Sequence, residues 1–569
     1  MVNTNKLQRF FVDKNFTITN WENLKPYYEN LLSKELTNKE SLRTWLQNWS
    51  ELDAIVSEDY AWRYIKMTCD TTNNELLENF TFFTEKIEPE IAPIINKLQK
   101  KLLDSTFINE IEGKEYFVFL RSIKKSNELF REENIALNTQ ISNESQKYGA
   151  ISAEQTIEHE GKQITLQKAA SLLKSLDREL RKSTYLKIQE RKNVDENKLN
   201  QLYTDLIELR HKVSLNAGFK NYRDYKFEEL GRFDYTVNDC INFHESIAKH
   251  IVPINKTLEK ARKEKLNLDS YKPWDTEFDI EGNLPLTPFN TGEELTEKTI
   301  SCFNNIDRFF GECITTMKQL GHLDLESRIG KAPGGYNYPL YESGVPFIFM
   351  NSVGTHRDMV TMVHEGGHAV HSFLCNQLSL TDFKSTPSEV AELASMGMEL
   401  ISMEHWNFFF TDENDLKRAK KEQLEKILKT LPWIACIDKF QHWVYENPTH
   451  SIEERYEKWY AISKEFGTGE VDYSGLENNI KRSWQGQLHL YEVPFYYIEY
   501  GMAQLGAVAV WKNYLENKEN CIASYKNALA HGYTRTIPEL YNLAGIKFDF
   551  SAQNIKELAE FVVNQYKKL

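Results

Sequence analysis

MVHEGGHAVHSF, residues 362–373, is the stretch on which the reading of this chain turns. His364 and His368 stand four apart, with Glu365 beside the first, Gly366 and Gly367 between them and His371 three further on. Upstream, Thr355 can cap a helix whose first turn holds Asp358 near the positive end of the dipole. On such a helix, residues four apart lie on one face a turn apart, so both imidazoles can reach one ion. Glu365 is then placed to take a proton from a water beside that ion, which is the logic of the H-E-x-x-H pattern. With 14 histidines in 569 residues, about 0.03 such matches arise by chance in a chain of this length. The longer form of the pattern needs glycine at 371 and histidine at 374, where this chain has His371 and Leu374. His371 is therefore read as a structural histidine, Cys375 as a core residue, and His356 and Arg357 as exposed positions at the helix start.

Two histidines do not complete a site, and STPSEVAELASMGMEL, residues 385–400, offers a third ligand. Thr386 as cap, Pro387 at the first helical position and Glu389 three after the cap spell a helix start. Glu392 follows one turn in, amid Val390, Leu393, Met396 and Leu400. A carboxylate on so apolar a helix is costly to bury unless paired or bound to metal. Glu399, seven further and on the same face, can accept the other ring N–H of a ligating histidine. Gly366 and Gly367 each cost roughly 1 kcal/mol relative to alanine inside a helix, which close approach of this second helix would explain. The bland alternative is an amphipathic helix whose glutamates face solvent.

Composition narrows the rest. Hydrophobic residues make up 41% and aromatics 12% of the chain, enough for a large core and too much for disorder. Lys and Arg number 69 against 83 for Asp and Glu, a net charge of −14, with no basic stripe. That argues against a nucleic-acid partner. The mixed-sign runs at 262–267 and 416–429 read as solvated helix faces. Seven scattered cysteines without a C-x-x-C pair fit reduced thiols. The start, MVNTNKLQRFFVDKNF, lacks the pattern of a secretory signal, and no apolar run approaches the roughly 18 residues of a membrane span. The expectation is a soluble, cytoplasmic protein with no membrane partner.

Helical periodicity dominates, as in residues 76–105, 170–193 and 197–218, with Gly218 as a helix stop. The Pro/Gly/Asp-rich segment 268–290 interrupts it, and Thr291 with Glu294 reads as a capping box that restarts a helix. Residues 330–354 break the texture, and PFIFMN, residues 346–351, reads as a strand. A small sheet thus precedes the histidine helix. An edge strand there would be a ledge for an extended peptide, or only a prop for the helix.

GTHRDMVTMVHEGGHAVHSF and PSEVAELASMGMEL closely resemble the thimet oligopeptidase and oligoendopeptidase F family of zinc peptidases, most nearly its oligoendopeptidase F side. The resemblance covers roughly the second half to two-thirds of the chain, and GKAPGGY and PFYYIEYGMAQLGA belong to it. It implies one Zn2+ per chain held by His364, His368 and Glu392, with Glu365 as general base and Glu399 supporting a ligand histidine. It also implies that a histidine and tyrosines near the C-terminus, here His489, Tyr496, Tyr497 and Tyr500, donate hydrogen bonds to substrate and transition state. The spacing departs from the thimet-like branch and leaves the choice among the three tyrosines open. The implied fold is mainly α and two-lobed, with a small β-sheet next to the H-E-x-x-H helix and a deep substrate channel. A division into 1–195, an N-terminal helical domain, and 196–569, a catalytic domain, goes with it. The expected activity is a zinc-dependent endopeptidase acting on short peptides. Its alternatives are a metallocarboxypeptidase or dipeptidyl carboxypeptidase with the same zinc site, and a non-catalytic, zinc-stabilised helical scaffold that binds peptides.

Overall fold

Asn20, Asn38, Thr236, Thr355, Ser451 and Thr536 each accept the backbone N–H three residues on and are bonded in return, so six helices begin on reciprocal capping boxes. Local polar residues thus set where many helices start, and apolar faces set how they pack. The computed structural model describes residues 7–328 and 330–569, and the reading of residues 1–6 as part of a leaderless start lies outside it.

Helices α1 (Trp21–Ser33), α2 (Lys39–Cys69), α3 (Glu88–Leu103) and α4 (Lys114–Leu129) build the N-terminal part. They enclose their own apolar cluster, including Leu24, Tyr28, Trp45, Trp49, Leu98 and Phe119. Two later residues, Leu380 and Phe383, belong to that same cluster. Beside them the Thr381 N–H donates to Ser50 Oγ at 2.7 Å and its hydroxyl donates to the Ser50 carbonyl at 2.9 Å.

The larger cluster joins α5 (Glu133–Ala153), α6 (Glu196–Asn216), α7 (Val237–His250), α8 (Gly292–Ile306) and α9 (Arg308–Leu320) to the C-terminal half. There α10 (His356–Cys375) and α11 (Ser388–Ser402) lie side by side, and α12 (Glu413–Glu446) and α13 (Tyr497–Glu516) pack around them. Nearly every residue of α11 is buried, as befits a helix enclosed on all sides. The fold is mainly α, as the sequence implied. Among the described residues no helix is long and apolar enough to cross a membrane, and all seven cysteines are free.

Several local expectations need correction. Residues 170–193 are two helices, Leu166–Leu172 and Arg178–Val194, the second restarted by the Asp177 side chain. A hairpin, β1 (Thr156–His159) and β2 (Lys162–Thr165), was not anticipated. Its turn is Glu160–Gly161, both at positive φ, 50° and 76°, the signature of a two-residue hairpin turn. Thr291 caps its helix, while the Glu294 carboxylate reaches past it to the Asn290 N–H.

Strands β3 (Leu323–Glu326), β4 (Tyr336–Tyr338) and β5 (Phe347–Ser352) form the small sheet in the order β3-β5-β4. β5 runs parallel to β3 and antiparallel to β4, with Asn337 opposite Ile348. The strand read from PFIFMN is therefore the centre of the sheet; the edge that lies against α10 is β4.

Candidate metal centre and cleft

Thr355 caps α10 and Asp358 bonds back to it, so the helix starts at the expected residue and carries His364 and His368 on one face. Facing them, α11 brings Glu392. His364 Nε2 lies 3.4 Å and His368 Nε2 3.8 Å from Glu392 Oε2, with the two rings nearly perpendicular at 85°. The three donor atoms all lie within 4.8 Å of one another. A separation of 3.8 Å is too long for a hydrogen bond, whereas two ligands at 2.0–2.1 Å from one tetrahedral ion stand about 3.3 Å apart. Two neutral imidazole nitrogens and a carboxylate are also the donor set of a hydrolytic zinc site. The residues fit a metal ion.

The glycines admit this approach. A Cβ on Gly367 would lie 2.6 Å from the Ala394 carbonyl oxygen and 2.7 Å from Ser395 Cα, so α11 abuts α10 there backbone to backbone. Gly366 answers a different neighbour, because its Cβ would meet the Phe303 ring of α8 at 2.8 Å.

Pro387, not Thr386, is the residue before α11, and no side chain caps it. Glu389 turns inward, where the Tyr235 hydroxyl donates to it at 2.6 Å. Glu399 lies where its spacing put it: Oε1 is 2.7 Å from His364 Nδ1, Gln423 Nε2 donates to Oε2 at 2.7 Å, and Lys426 Nζ is 3.5 Å away. His356 is buried rather than exposed, set edge-on against Trp406 and 3.2 Å from Glu422; Arg357 is exposed. His371 and Cys375 are buried, and Cys375 donates to the Leu529 carbonyl.

Electrostatics separates the carboxylates. Burial opposes ionisation of Glu392 and Glu399, yet neighbouring cations and donors, His368 and His364 for the first and Lys426 and His364 for the second, hold both down to about 2. Burial pushes Glu365 up to about 7, aided by the charges of Glu392 and Glu399. Burial likewise pushes His368 down to about 4.

A cavity of about 320 Å³ opens over these groups, lined by Glu365, His364, His368, Glu392, Tyr496 and Tyr500 and floored by the β4 edge at Tyr336 and Asn337. The Tyr496 hydroxyl donates to Glu392 Oε1 at 2.7 Å. Phe495, just before it, sits at φ +68°, a conformation that non-glycine residues adopt only when held. Gln441 Oε1 accepts its N–H and Arg232 donates to its carbonyl. His489 stands behind Tyr500, with Nε2 3.3 Å from the tyrosine hydroxyl, and Tyr497 turns away to donate to Gln487 Oε1 at 3.0 Å.

Gln423 escaped the sequence reading, which took 416–429 for a solvated face. Its signal was present: Ala419, Gln423 and Ile427 share one stripe, all buried, and a polar residue on an apolar stripe asks for a partner. Gln487 and Trp433 carry no such local signal. A second convergence joins Cys240 of α7 to Asp438 and His442 of α12, within 4.8 Å of one another. It is sealed in the core, with Asp438 also 2.8 Å from His244 Nε2.

The model of peptidase family M3 matches residues 171–560, more than half of the chain, and that of the peptidase M3 N-terminal domain matches residues 11–130. An oligoendopeptidase F homolog of Borreliella burgdorferi is 21% identical over 66% of this chain and 62% of its own length. Oligopeptidase PepF of Bacillus subtilis is 23% identical over 68% of this chain and 56% of its own. The match thus spans about three-fifths of these relatives' length. A solved structure of PZ peptidase A with an inhibitor superposes at a TM-score of 0.93, with 26% identity, over 98% of this chain and 99% of that one.

Proposed function

This chain belongs to peptidase family M3, and on that premise we propose that it is a zinc-dependent endopeptidase that hydrolyses internal bonds of short oligopeptides. The observation that carries the reading is the convergence of His364, His368 and Glu392 on one point, with Glu365 on the wall of the cavity above it. Those three residues would hold one Zn2+, which when bound polarises the scissile carbonyl and acidifies the attacking water.

The chain's own groups do the rest. A Glu365 oxygen takes the proton of the attacking water and delivers it to the nitrogen of the leaving amine; a buried carboxyl raised toward neutrality is suited to holding that proton in between. Hydroxyl donors on the cavity wall, Tyr496 or Tyr500 with His489 behind, meet the negative charge that develops on the carbonyl oxygen. Glu399 fixes the ring of His364 through Nδ1. The β4 edge beside α10 offers main-chain groups to an extended peptide. A cavity of this size admits an extended segment and excludes a folded domain. A division into an N-terminal helical part and a catalytic part, set at 1–195 and 196–569, belongs to the same reading; the separate apolar cluster of α1 to α4 supports two parts, while α5 packs with the catalytic one. A cytoplasmic setting is supported by the free thiols.

The test is mass spectrometry of a peptide pool of mixed length incubated with the zinc-loaded protein, with Glu365→Gln as control. Internal cuts that vanish in the control support the reading. Stepwise loss from C-termini would turn it into a carboxypeptidase, and an untouched pool with stoichiometric zinc would leave a binding scaffold.

A further inference from the structure

Gln487 sits between three hydrogen-bonding side chains. Its Oε1 accepts from the Trp433 indole N–H at 3.3 Å and from the Tyr497 hydroxyl at 3.0 Å, and its Nε2 lies 2.8 Å from His489 Nδ1. On the other side of that ring, Nε2 lies 3.3 Å from the Tyr500 hydroxyl, which lines the cavity. A line of hydrogen bonds therefore runs from a half-exposed indole to the cavity wall.

Such a line normally has two solutions, because an amide can flip and a histidine has two tautomers. Trp433 removes one of them. An indole N–H donates and cannot accept. With the amide turned round, the NH2 group of Gln487 would meet that N–H donor against donor. The oxygen must face Trp433, so the NH2 group faces His489, and Nδ1 must be the acceptor. A neutral imidazole that accepts at Nδ1 carries its proton on Nε2. The ring is neutral at physiological pH, since burial pushes it down to about 4.

We propose that Trp433 and Gln487 are positioning residues that fix His489 as its Nε2–H tautomer and so make Tyr500 the tyrosine that donates into the cavity. The Tyr496 proton is committed to Glu392 and the Tyr497 proton to Gln487. Tyr500 receives the Nε2–H of His489 on its oxygen and keeps its own proton free to point forward, its donor strength raised by the bond behind it. In the other tautomer Nε2 would present a lone pair, the Tyr500 proton would turn back to it, and the cavity would lose its donor. The value of that donor rests on the peptidase reading; the tautomer does not.

The experiment uses full-length, zinc-loaded protein labelled with 15N-histidine, the signals of His489 being assigned by their loss in His489→Gln. The 15N shifts of wild type are expected to show a bare Nδ1 and a protonated Nε2. In Gln487→Glu the carboxylate accepts on both oxygens, so Nδ1 gains a proton, and in Trp433→Phe the freed amide lets both tautomers appear. With them kcat on a short peptide should fall about tenfold in Gln487→Glu while KM stays within about twofold. Wild type protonated at Nδ1 overturns the proposal, and so does a tautomer unmoved in both variants. The wild-type spectrum decides even if a variant fails to fold. A peptide pool left uncut by protein with the expected tautomer would instead remove the peptidase reading and leave this assignment standing.

Discussion

Glu399 holds His364 from behind: its Oε1 lies 2.7 Å from His364 Nδ1, on the side of the ring opposite the 3.4 Å approach of Nε2 to Glu392. With an ion bound between His364, His368 and Glu392, that bond would keep the ring proton on Nδ1 and leave Nε2 to ligate. Gln423 and Lys426 hold the carboxylate in turn.

Glu399→Gln should therefore weaken zinc binding by about 10- to 100-fold, the usual effect of losing a partner behind a metal-binding histidine. Competition with a chromogenic chelator measures it. Unchanged affinity would reduce Glu399 to an ordinary buried carboxylate.

Gly367→Ala sets a methyl group against backbone, 2.6 Å from the Ala394 carbonyl oxygen. Neither helix has a flexible side chain to move aside, so a loss of about 3 kcal/mol is expected, with weaker zinc binding as the helices part. Gly366→Ala meets only the far end of the Phe303 ring and should cost less. Denaturant unfolding of the two variants gives the order, and equal stability would show that the helices can yield.

The three tyrosines should separate on removal of their hydroxyls. Tyr500→Phe is expected to lower kcat by about 10²-fold or more, the scale for losing one donor to a developing oxyanion, with zinc content unchanged. Tyr496→Phe, which gives up a bond to Glu392, should also show in zinc affinity. Tyr497→Phe should act weakly, through Gln487. Steady-state kinetics and metal analysis on the three proteins test the order.

Glu499 supplies a pH dependence of stability. It is buried, pushed up to about 8 by burial and by the like charge of Glu389, with Arg232 only partly offsetting them at 2.8 Å. A carboxyl raised in the fold contributes stability that is full below its unfolded value near 4.5 and is lost as pH climbs through 8. Wild type should therefore lose stability from pH 5 to 9. Glu499→Gln cannot ionise and leaves Arg232 balanced by Glu389, so its stability should change less over that range. Denaturant midpoints at stepped pH decide it, and parallel curves would mean that Glu499 is ionised throughout.

The convergence of His364, His368 and Glu392 was legible because both of its signals are local: two histidines at one helical turn, and glutamates seven apart on a helix too apolar to bury them idly. Its surroundings were not, because they depend on residues far apart in the chain. Trp433 and Gln487 meet only through the packing of α12 against the segment before α13, and nothing near either marks the meeting. Tertiary contacts also overrode local patterns. Glu389 looks like a capping residue but is drawn to the Tyr235 hydroxyl, and His356 looks exposed but lies on Trp406. The hairpin at 156–165 did have its signal, Glu-Gly between alternating residues, lost among the charges on either side.

The chain that links His368 to Glu392 passes through the other lobe's interior on its way. Leu380 and Phe383 lie in the N-terminal cluster, and Thr381 is tied to Ser50 by two hydrogen bonds. Withdrawing those two side chains would cost about 2 kcal/mol each, before any pull on the helices at either end. The run between α10 and α11 is thus anchored outside the cluster that holds both helices. A substitution that loosens the N-terminal packing therefore reaches the segment joining the two candidate histidines to Glu392 without touching any of the three.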